Sequence, residues 1–306
     1  MTNNKALTNK IDFAVIISVN RANPNGDPLN GNRPRQTYDG YGEISDVCLK
    51  RKIRNRLQDM GESIFVQSDD NRVDEHRSLN ARFKDALEKW EKEVKDKKRE
   101  STDTRSNAPK EWFDVRAFGQ VFAFKEKKAG KKDKKTKEIE NDADESTGEN
   151  SDAVSIGIRG PVTIQSAFSV DPITPESLQI IKSVNLETEQ NPDKKASDTM
   201  GMKHRVDKGI YVTYGAINTQ LAKKPIFSDS DAEKLKKALQ TLFVNDASSA
   251  RPEGSMEVVK VIWWKHNSPC GQYASVKVHR SLKVSKDGNI DFDNLDGLSP
   301  EVIDGF

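Results

Sequence analysis

Cysteine is scarce in this 306-residue sequence: Cys48 and Cys270 are the two, with no CxxC and no histidine at metal-ligand spacing beside them. That argues against a disulfide framework and a structural zinc site, and it fits a reducing compartment. Histidine is almost as rare. The four (His76, His204, His266 and His279) sit in no catalytic motif, and neither cysteine has an activating neighbour, so a nucleophilic enzyme is not expected. There is no GxxxxGK(S/T) loop, which removes P-loop nucleotide hydrolysis, and GYGEIS is too short and misplaced for a dinucleotide fingerprint. No cofactor and no metal are expected. Long apolar runs are lacking too. The polar start MTNNKALTNK leads into about seven apolar residues, too few for a signal peptide or a membrane span, and a soluble cytoplasmic protein is the expectation. Nor does one sign of charge dominate: 50 lysines and arginines against 48 acidic residues leave a formal charge of +2, so position matters more than the total.

What is present is patterned. With 34% hydrophobic and 32% charged residues, the chain is long enough for one elaborated domain with a real core and long solvated insertions. DFAVIISV (12–19) is β-branched and nearly all apolar, the pattern of a strand buried on both faces. From its end runs NRANPNGDPLNGNRPRQ (20–36), too rich in turn formers for a helix or a paired strand. SDVCLKRKIRNRLQDMG predicts a helix with Ser45 or Asp46 as cap, a stripe of Leu49, Ile53, Leu57 and Met60, and Gly61 as terminator. Its remaining surface carries Lys50, Arg51, Lys52, Arg54 and Arg56. ARFKDALEKWEKEVKDKKRE places Phe83, Leu87, Trp90 and Val94 on one face of a second helix, within an insertion over 62–110.

EWFDVRAFGQVFAF (111–124) returns to a core pattern. Eight lysines between 125 and 137, then acidic residues through 152, predict a mobile, solvating loop over 125–152 rather than a nucleic-acid tether. SIGIRGPVTIQSAFSVDPI reads as extended chain bent at Gly160-Pro161, and GIYVTYGAIN (209–218) as a strand. Between them 183–208 lacks a core stripe, turns at NPD (191–193) and returns basic as MKHR, which fits a projecting hairpin. DSDAEKLKKALQTLF (229–243) predicts a third helix with Leu235, Leu239 and Leu242 inward. MEVVKVIWWKH and YASVKVHRSLKV read as closing strands, and 285–306 as an acidic tail.

Reduced to its core, the order is strand, helix, strand, strand, helix, strand. This is an α+β, ferredoxin-like arrangement of the kind used by RNA-recognition (RRM) modules. KGIYVTY echoes a ribonucleoprotein motif with the wrong spacing and is read as a core strand. Basic, glycine-bearing loops punctuate the strands: Arg21, Arg33 and Arg35 early, Arg116 in FDVRAFG, Arg159 in GIRGP, and Lys203, His204 and Arg205 in the returning arm. Glycine lets backbone N–H groups approach a phosphate, and Asn23, Asn25 and Asn30 can bond sugar or phosphate oxygens without discriminating sequence. A nucleic-acid backbone is the expected ligand.

Five blocks, NPNGDPLNGNRPR, DVCLKRKIRN, FDVRAFGQVFA, SIGIRGPVTIQSAFSVDPI and MKHRVDKGIYVTYGAIN, together resemble the Cas-seven backbone subunit of the CRISPR type I-C Cascade, the Csd-two family. The resemblance implies a noncatalytic, hand-shaped subunit in one elaborated domain. Its RRM-like palm would come from 11–61, 111–124, 154–182 and 209–284, its helical fingers largely from 62–110, and its β-hairpin thumb from 183–208. It implies a helical filament of many copies along one crRNA in a prokaryotic antiviral ribonucleoprotein. The partners would be the crRNA, target DNA through the crRNA, further copies of the chain, and the Cas-five, Cas-eight and small subunits of type I-C.

By the same resemblance Arg21, Asn23, Asn25, Arg33, Arg35, Lys50, Arg51, Arg54, Arg116, Arg159 and Gln165 are candidates for guide-backbone contacts. Met200 and Met202, flanking Gly201, would either wedge between bases or pack on the next subunit's palm. Related type III backbone subunits cut target RNA with an acidic loop residue, a role that would fall to Asp27. A lone aspartate in NGDP is more often a turn former, and no second carboxylate is fixed beside it. A subunit touching about four phosphates should show a salt slope near −3 and let go of RNA alone. Contacts between copies on one strand would turn such grips into a lasting complex.

Overall fold

The computed structural model of the protein describes residues 5–123, 155–181, 200–224 and 226–306. The charged loop expected at 125–152 and the turn expected at 191–193 lie outside the described residues. Strand β1 (Ile11–Ala22) is followed by a small hairpin, β2 (Gly26–Asp27) and β3 (Arg33–Pro34), and by β4 (Tyr41–Ile44). Helix α1 (Asp46–Asp59) begins where the Ser45 hydroxyl accepts the Cys48 N–H at 3.3 Å, and it ends before Gly61, whose φ of +89° favours glycine. Helices α2 (Leu79–Lys95), α3 (Thr104–Glu111) and α4 (Phe113–Phe118) lead to β5 (Gly119–Ala123) and β6 (Ser155–Arg159). Next come β7 (Val162–Ile164), β8 (Ala167–Pro172), β9 (Pro175–Ile181) and the 18-residue β10 (Met200–Ile217). Helices α5 (Thr219–Ala222) and α6 (Asp229–Gln240), strand β11 (Met256–Lys265), helix α7 (Ser275–Ser281) and strands β12 (Leu282–Val284), β13 (Ile290–Phe292) and β14 (Glu301–Asp304) follow.

The main sheet runs β14-β11-β1-β10-β8-β4, with every neighbouring pair antiparallel, and β7 and β9 also pair with β10. β1 lies inside it, which is why its sequence is apolar at nearly every position. Phe13, Val15, Ile17 and Val19 join one core layer with Leu49, Ile53 and Leu57 of α1 and Leu235 and Leu239 of α6. Ala14 and Ile16 point the other way, into a layer with Val278 of α7, Leu282, Leu295 and Leu298. Each fully buried large side chain contributes about 1.5–3 kcal/mol. α6 is started by a capping box between Ser228 and Asp231.

A second, aromatic cluster gathers Phe65, Phe83, Trp90, Trp112 and Phe122, with Phe65 and Trp112 ring centres 4.6 Å apart. It draws on more than the 62–110 insertion. EWFDVRAFGQVFAF is shared between cores, Phe113 and Ala117 facing the main one and Trp112, Val115 and Phe122 the second.

Three expectations change. YASVKVHRSLKV is a strand only at its end, in β12: 275–281 form α7, whose Val278 packs on the sheet's second face. The tail expected at 285–306 is built into the fold, with β13 on β12, β14 on β11, and Leu295 and Leu298 buried. Its apolar residues are too widely spaced to announce an element. The opening loop, read as unpaired, contains the short β2–β3 ladder. Among the described residues no helix is long and apolar enough to cross a membrane.

One polar cluster fastens the α7 layer to the sheet. Asp12, inside the apolar run, is fully buried; its Oδ2 accepts from His266 Nε2 at 2.8 Å and lies 3.0 Å from Lys10 Nζ. The Gln272 N–H donates to His266 Nδ1 at 2.9 Å, so that nitrogen keeps its lone pair and the proton that faces Asp12 sits on Nε2. His279 Nε2 donates to the Gly215 carbonyl at 3.2 Å and lies 3.6 Å from Asp12 Oδ1. Burial pushes the Asp12 carboxyl up, but the His266 and Lys10 hydrogen bonds outweigh it and hold the group below its ordinary value. Burial pulls His279 down, against the attraction of Asp12.

Both depressed values mean that the unfolded chain takes up these protons first. Stability should therefore be full above about pH 6.5, fall as His279 becomes charged in the unfolded state, and fall again below about pH 4 with Asp12. Urea midpoints measured from pH 8 to pH 3 check this, and His279→Gln should flatten the first fall. Asp12→Ala, which leaves His266 and Lys10 without their acceptor, should cost about 3 kcal/mol.

Candidate nucleic-acid interface

The opening loop is held from inside. Asn23 is buried and its Nδ2 donates to the Asn32 carbonyl at 2.7 Å. Asn25 Oδ1 accepts from both the N–H and the hydroxyl of Ser45, at 2.9 and 2.8 Å, which clips the loop to the first turn of α1. Asp27 accepts the Leu29 N–H at 3.2 Å, capping the short helical turn Pro28–Asn30, and lies 3.7 Å from Arg35. Arg35 is half-buried, and its Nε is enclosed without a partner among the described residues. The outer surface is different. Asn30 and Arg33 are exposed, as are Leu29 and Tyr38. Arg21 takes an unusual φ of +52° and stands in solvent, 3.6 Å from an equally exposed Asp207.

The cations of α1 do not form a free face. Lys50 bonds Asp46 within the helix at 3.0 Å. Arg51 donates to the Val66 carbonyl at 2.7 Å; burial, then the neighbouring Arg54, pulls its guanidinium below the ordinary value. Lys52 is buried against Asp246, which Arg251 also reaches at 3.2 Å. Arg54 Nε donates to Asp114 Oδ2 at 2.9 Å, over the Phe118 ring. Asp114 is itself buried and also accepts the Phe65 and Val66 N–H groups at 2.7 and 3.1 Å. It joins α1, α4 and the start of the aromatic cluster. Arg116 is similarly held, by the Pro109 carbonyl at 2.6 Å and Asp231 at 2.9 Å. The bare basic helix face suggested by the sequence is therefore corrected: Asp114 lies 60 positions from Arg54 and Asp246 lies 194 from Lys52, beyond any helical spacing rule.

At β6, Arg159 is exposed and has no partner among the described residues. The glycines around it have a packing reason: a Cβ on Gly160 would collide with the Ala117 carbonyl, and Gly119 has a φ of +81° against the Ile158 carbonyl. The side chain of Gln165 is exposed, while its backbone is fixed by Tyr214 and the Thr213 hydroxyl.

Beyond the core, β9 pairs with the first part of β10, from Met200 opposite Ile181 to Val206 opposite Pro175. The hairpin expected at 183–208 therefore has a first arm that starts earlier, at Pro175, and the rest of that arm lies outside the described residues. Met200, Met202, Ile180 and Ile181 are exposed along it. Arg205 bonds Glu176 at 2.9 Å and His204 bonds Ser177 at 2.8 Å, whereas Lys203 has no acceptor among the described residues.

The candidates thus divide. Asn23, Asn25, Arg35, Lys50, Arg51, Arg54, Arg116 and Arg205 hold the protein together, Arg21, Asn30, Arg33, Arg159 and Gln165 present side chains to solvent, and Lys203 is half-buried. Tyr38 was passed over in the sequence; an aromatic among turn formers was the signal. Its exposed ring suits base stacking. Among the described residues no group of three or more histidine, cysteine or acidic side chains is placed to hold a metal ion.

A family model described as CRISPR-associated protein Cas7 matches residues 9–297. A CRISPR-associated protein Cas7 of Haloferax volcanii is 28% identical over 229 residues, which span 74% of this chain and 62% of that protein. Among solved structures, a chain of a pre-nicking CRISPR RNA-guided surveillance complex aligns over 83% of this chain and 75% of its own, with TM-score 0.43 and 15% identity. A second CRISPR RNA-guided surveillance complex chain gives TM-score 0.42 at 15% identity, over 83% of this chain and 68% of its own.

Replacing Asp114 by alanine strands one guanidinium and two backbone N–H groups. It should cost about 3–5 kcal/mol in urea unfolding and speed hydrogen exchange across 62–122 more than in β1.

Proposed function

The chain belongs to the CRISPR-associated protein Cas7 family, and from that premise we propose that it is a guide-RNA-binding backbone subunit of a type I-C surveillance complex. In this reading it binds a crRNA backbone, assembles with further copies along that strand, and leaves the bases free to pair with target DNA. The carrying observation is the division of its polar residues: buried asparagines and paired arginines fix the loops, and Arg33, Asn30, Arg159, Gln165 and Lys203 stand outside them. Phosphate contacts of this kind fix position and are blind to sequence. The order β11-β1-β10-β8 with α1 and α6 on one face supports an RRM-like palm. The second face, where RNA-recognition modules stack bases, is filled here by α7 and 282–298, so the guide is assigned to the loops.

The aromatic cluster over Phe65–Phe122 is read as the fingers and the β9–β10 arm as the thumb. Met200 and Met202 are the proposed wedge in the base stack, with packing on a neighbouring copy as the competing use. If both are changed to alanine and the periodicity of RNA chemical probing is unchanged, the wedge is excluded.

Arg33→Ala combined with Arg159→Ala should weaken binding equally on all RNA sequences and make the salt slope shallower by about 1.4, at roughly 0.7 per single-strand phosphate. Filter binding of the assembled complex across salt reads both, and a loss confined to certain sequences would sink backbone recognition. The proposed role is noncatalytic. Asp27 is engaged as a cap beside Arg35, which supports a structural use. Incubating the complex with complementary RNA and magnesium tests this: periodic cleavage abolished by Asp27→Asn would favour a target-RNA endoribonuclease instead.

A further inference from the structure

A polar cleft of about 270 Å³ opens at the C-terminal end of β1, lined by Ser18, Asn20, Lys208, Gly254, Ser255 and Glu257. The strand register sets its geometry. Asn20 stands opposite Lys208 on β10, and Ser18 stands opposite Glu257 on β11. β1 is therefore the floor, and the two charged residues rise from the strands on either side, their backbones about 12 Å apart, two strand spacings across and two residues along. Lys208 and Glu257 are both exposed, and among the described residues neither side chain forms an ion pair or hydrogen bond, with the other or with anything else. The Ser18 hydroxyl and the Asn20 carboxamide are likewise without partners among the described residues. Ser255 is committed, its hydroxyl donating to the Pro252 carbonyl at 2.5 Å. Opposite charges that share a cleft without pairing leave room for something between them.

A carboxylate only accepts and an ammonium only donates, so the two walls make opposite demands on a ligand. Guanine answers both. It carries adjacent N–H donors at N1 and N2 on one edge and the acceptors O6 and N7 on the next. Adenine sets its single amino donor between two acceptors, cytosine has one amino group beside acceptor atoms, and uracil has one N–H between two carbonyls. Each would turn a lone pair toward Glu257 or leave Lys208 poorly matched.

We propose that this cleft binds a guanine base, with Glu257 accepting from N1–H and N2–H, Lys208 donating to O6 and N7, and Ser18 and Asn20 serving as the polar floor. The base would be one turned out of a single strand. This rests on the nucleic-acid reading above but concerns a separate site: none of the exposed backbone candidates lines the cleft.

The test uses the full chain freed of nucleic acid and titrated with the 5′-monophosphates of guanosine, adenosine, cytidine and uridine, followed by saturation-transfer NMR. Guanosine monophosphate is expected to bind about tenfold more tightly than the other three. Glu257→Gln should erase that preference, and Lys208→Met should weaken guanosine monophosphate about tenfold. Both residues are exposed, so folding should be intact, and urea midpoints check it. Oligo(rG) preferred over oligo(rA), with the preference lost in Glu257→Gln, assigns the base to a strand; preference for the free nucleotide alone assigns the site to a mononucleotide. Equal binding of all four nucleotides, no binding, or a preference untouched by Glu257→Gln overturns the proposal. So does an effect of the two variants on particle size without any effect on nucleotides, which would assign the cleft to a protein contact. RNA that still copurifies with Glu257→Gln keeps the backbone reading separate. Guanine preference in a protein that never copurifies RNA would instead sink the backbone reading alone.

Discussion

The pairing of β1 with β10 is the constraint on which the rest depends. It runs from Ile11 opposite Ile217 to Ala22 opposite Val206, and β10 then continues outward to Met200 against β9. One strand is thus both a core element and the partner of β9 beyond the core. Its register decides more than packing. A shift by a single residue would exchange the two faces of the sheet, burying Ser18 and Asn20 and turning Met200 and Met202 over. The apolar side chains of β1, locked between two layers, leave no freedom for such a shift.

Buried carboxylates then tie the layers to that frame. Asp12 draws in Lys10, His266 and the end carrying α7; Asp114 gathers Arg54 and two backbone N–H groups; Asp231 caps α6 and holds Arg116. Each carboxylate has donors on at least one oxygen, which is the condition under which burying it is tolerable. The effect on function is indirect. These contacts consume cations that composition alone would offer to a polyanion, and they leave the free ones on the opening hairpin, at the end of β6 and on the outer arm. A nearly neutral chain can present a locally basic surface because its other cations are spent inside.

The sheet's two faces have different fates as well. One carries α1 and α6; the other is closed by α7 and the segment up to Leu298, except at the end of β1, where the polar cleft remains. In the proposed role this sends a guide strand to the loops rather than across the sheet. The arm and the aromatic cluster are extensions of the same frame, anchored through β10 and through Asp114.

By itself the sequence determined the elements whose signals are local. β1 was legible from its nearly unbroken apolar run, α1 from Ser45, its stripe and Gly61, α6 from its leucines, and the bend at Gly160-Pro161 from those two residues. The motifs of the opening loop and of FDVRAFG and GIRGP were legible too, and they carried the family. The tertiary structure alone decided which cations are free, because the partners of Arg54, Arg116 and Lys52 come from remote parts of the chain. It made 275–281 a helix, since Val278 had a sheet face to cover, and it paired the tail with β12 and β11. It also set Lys208 across β1 from Glu257, for strand register arises from pairing between distant segments and leaves no mark on either one.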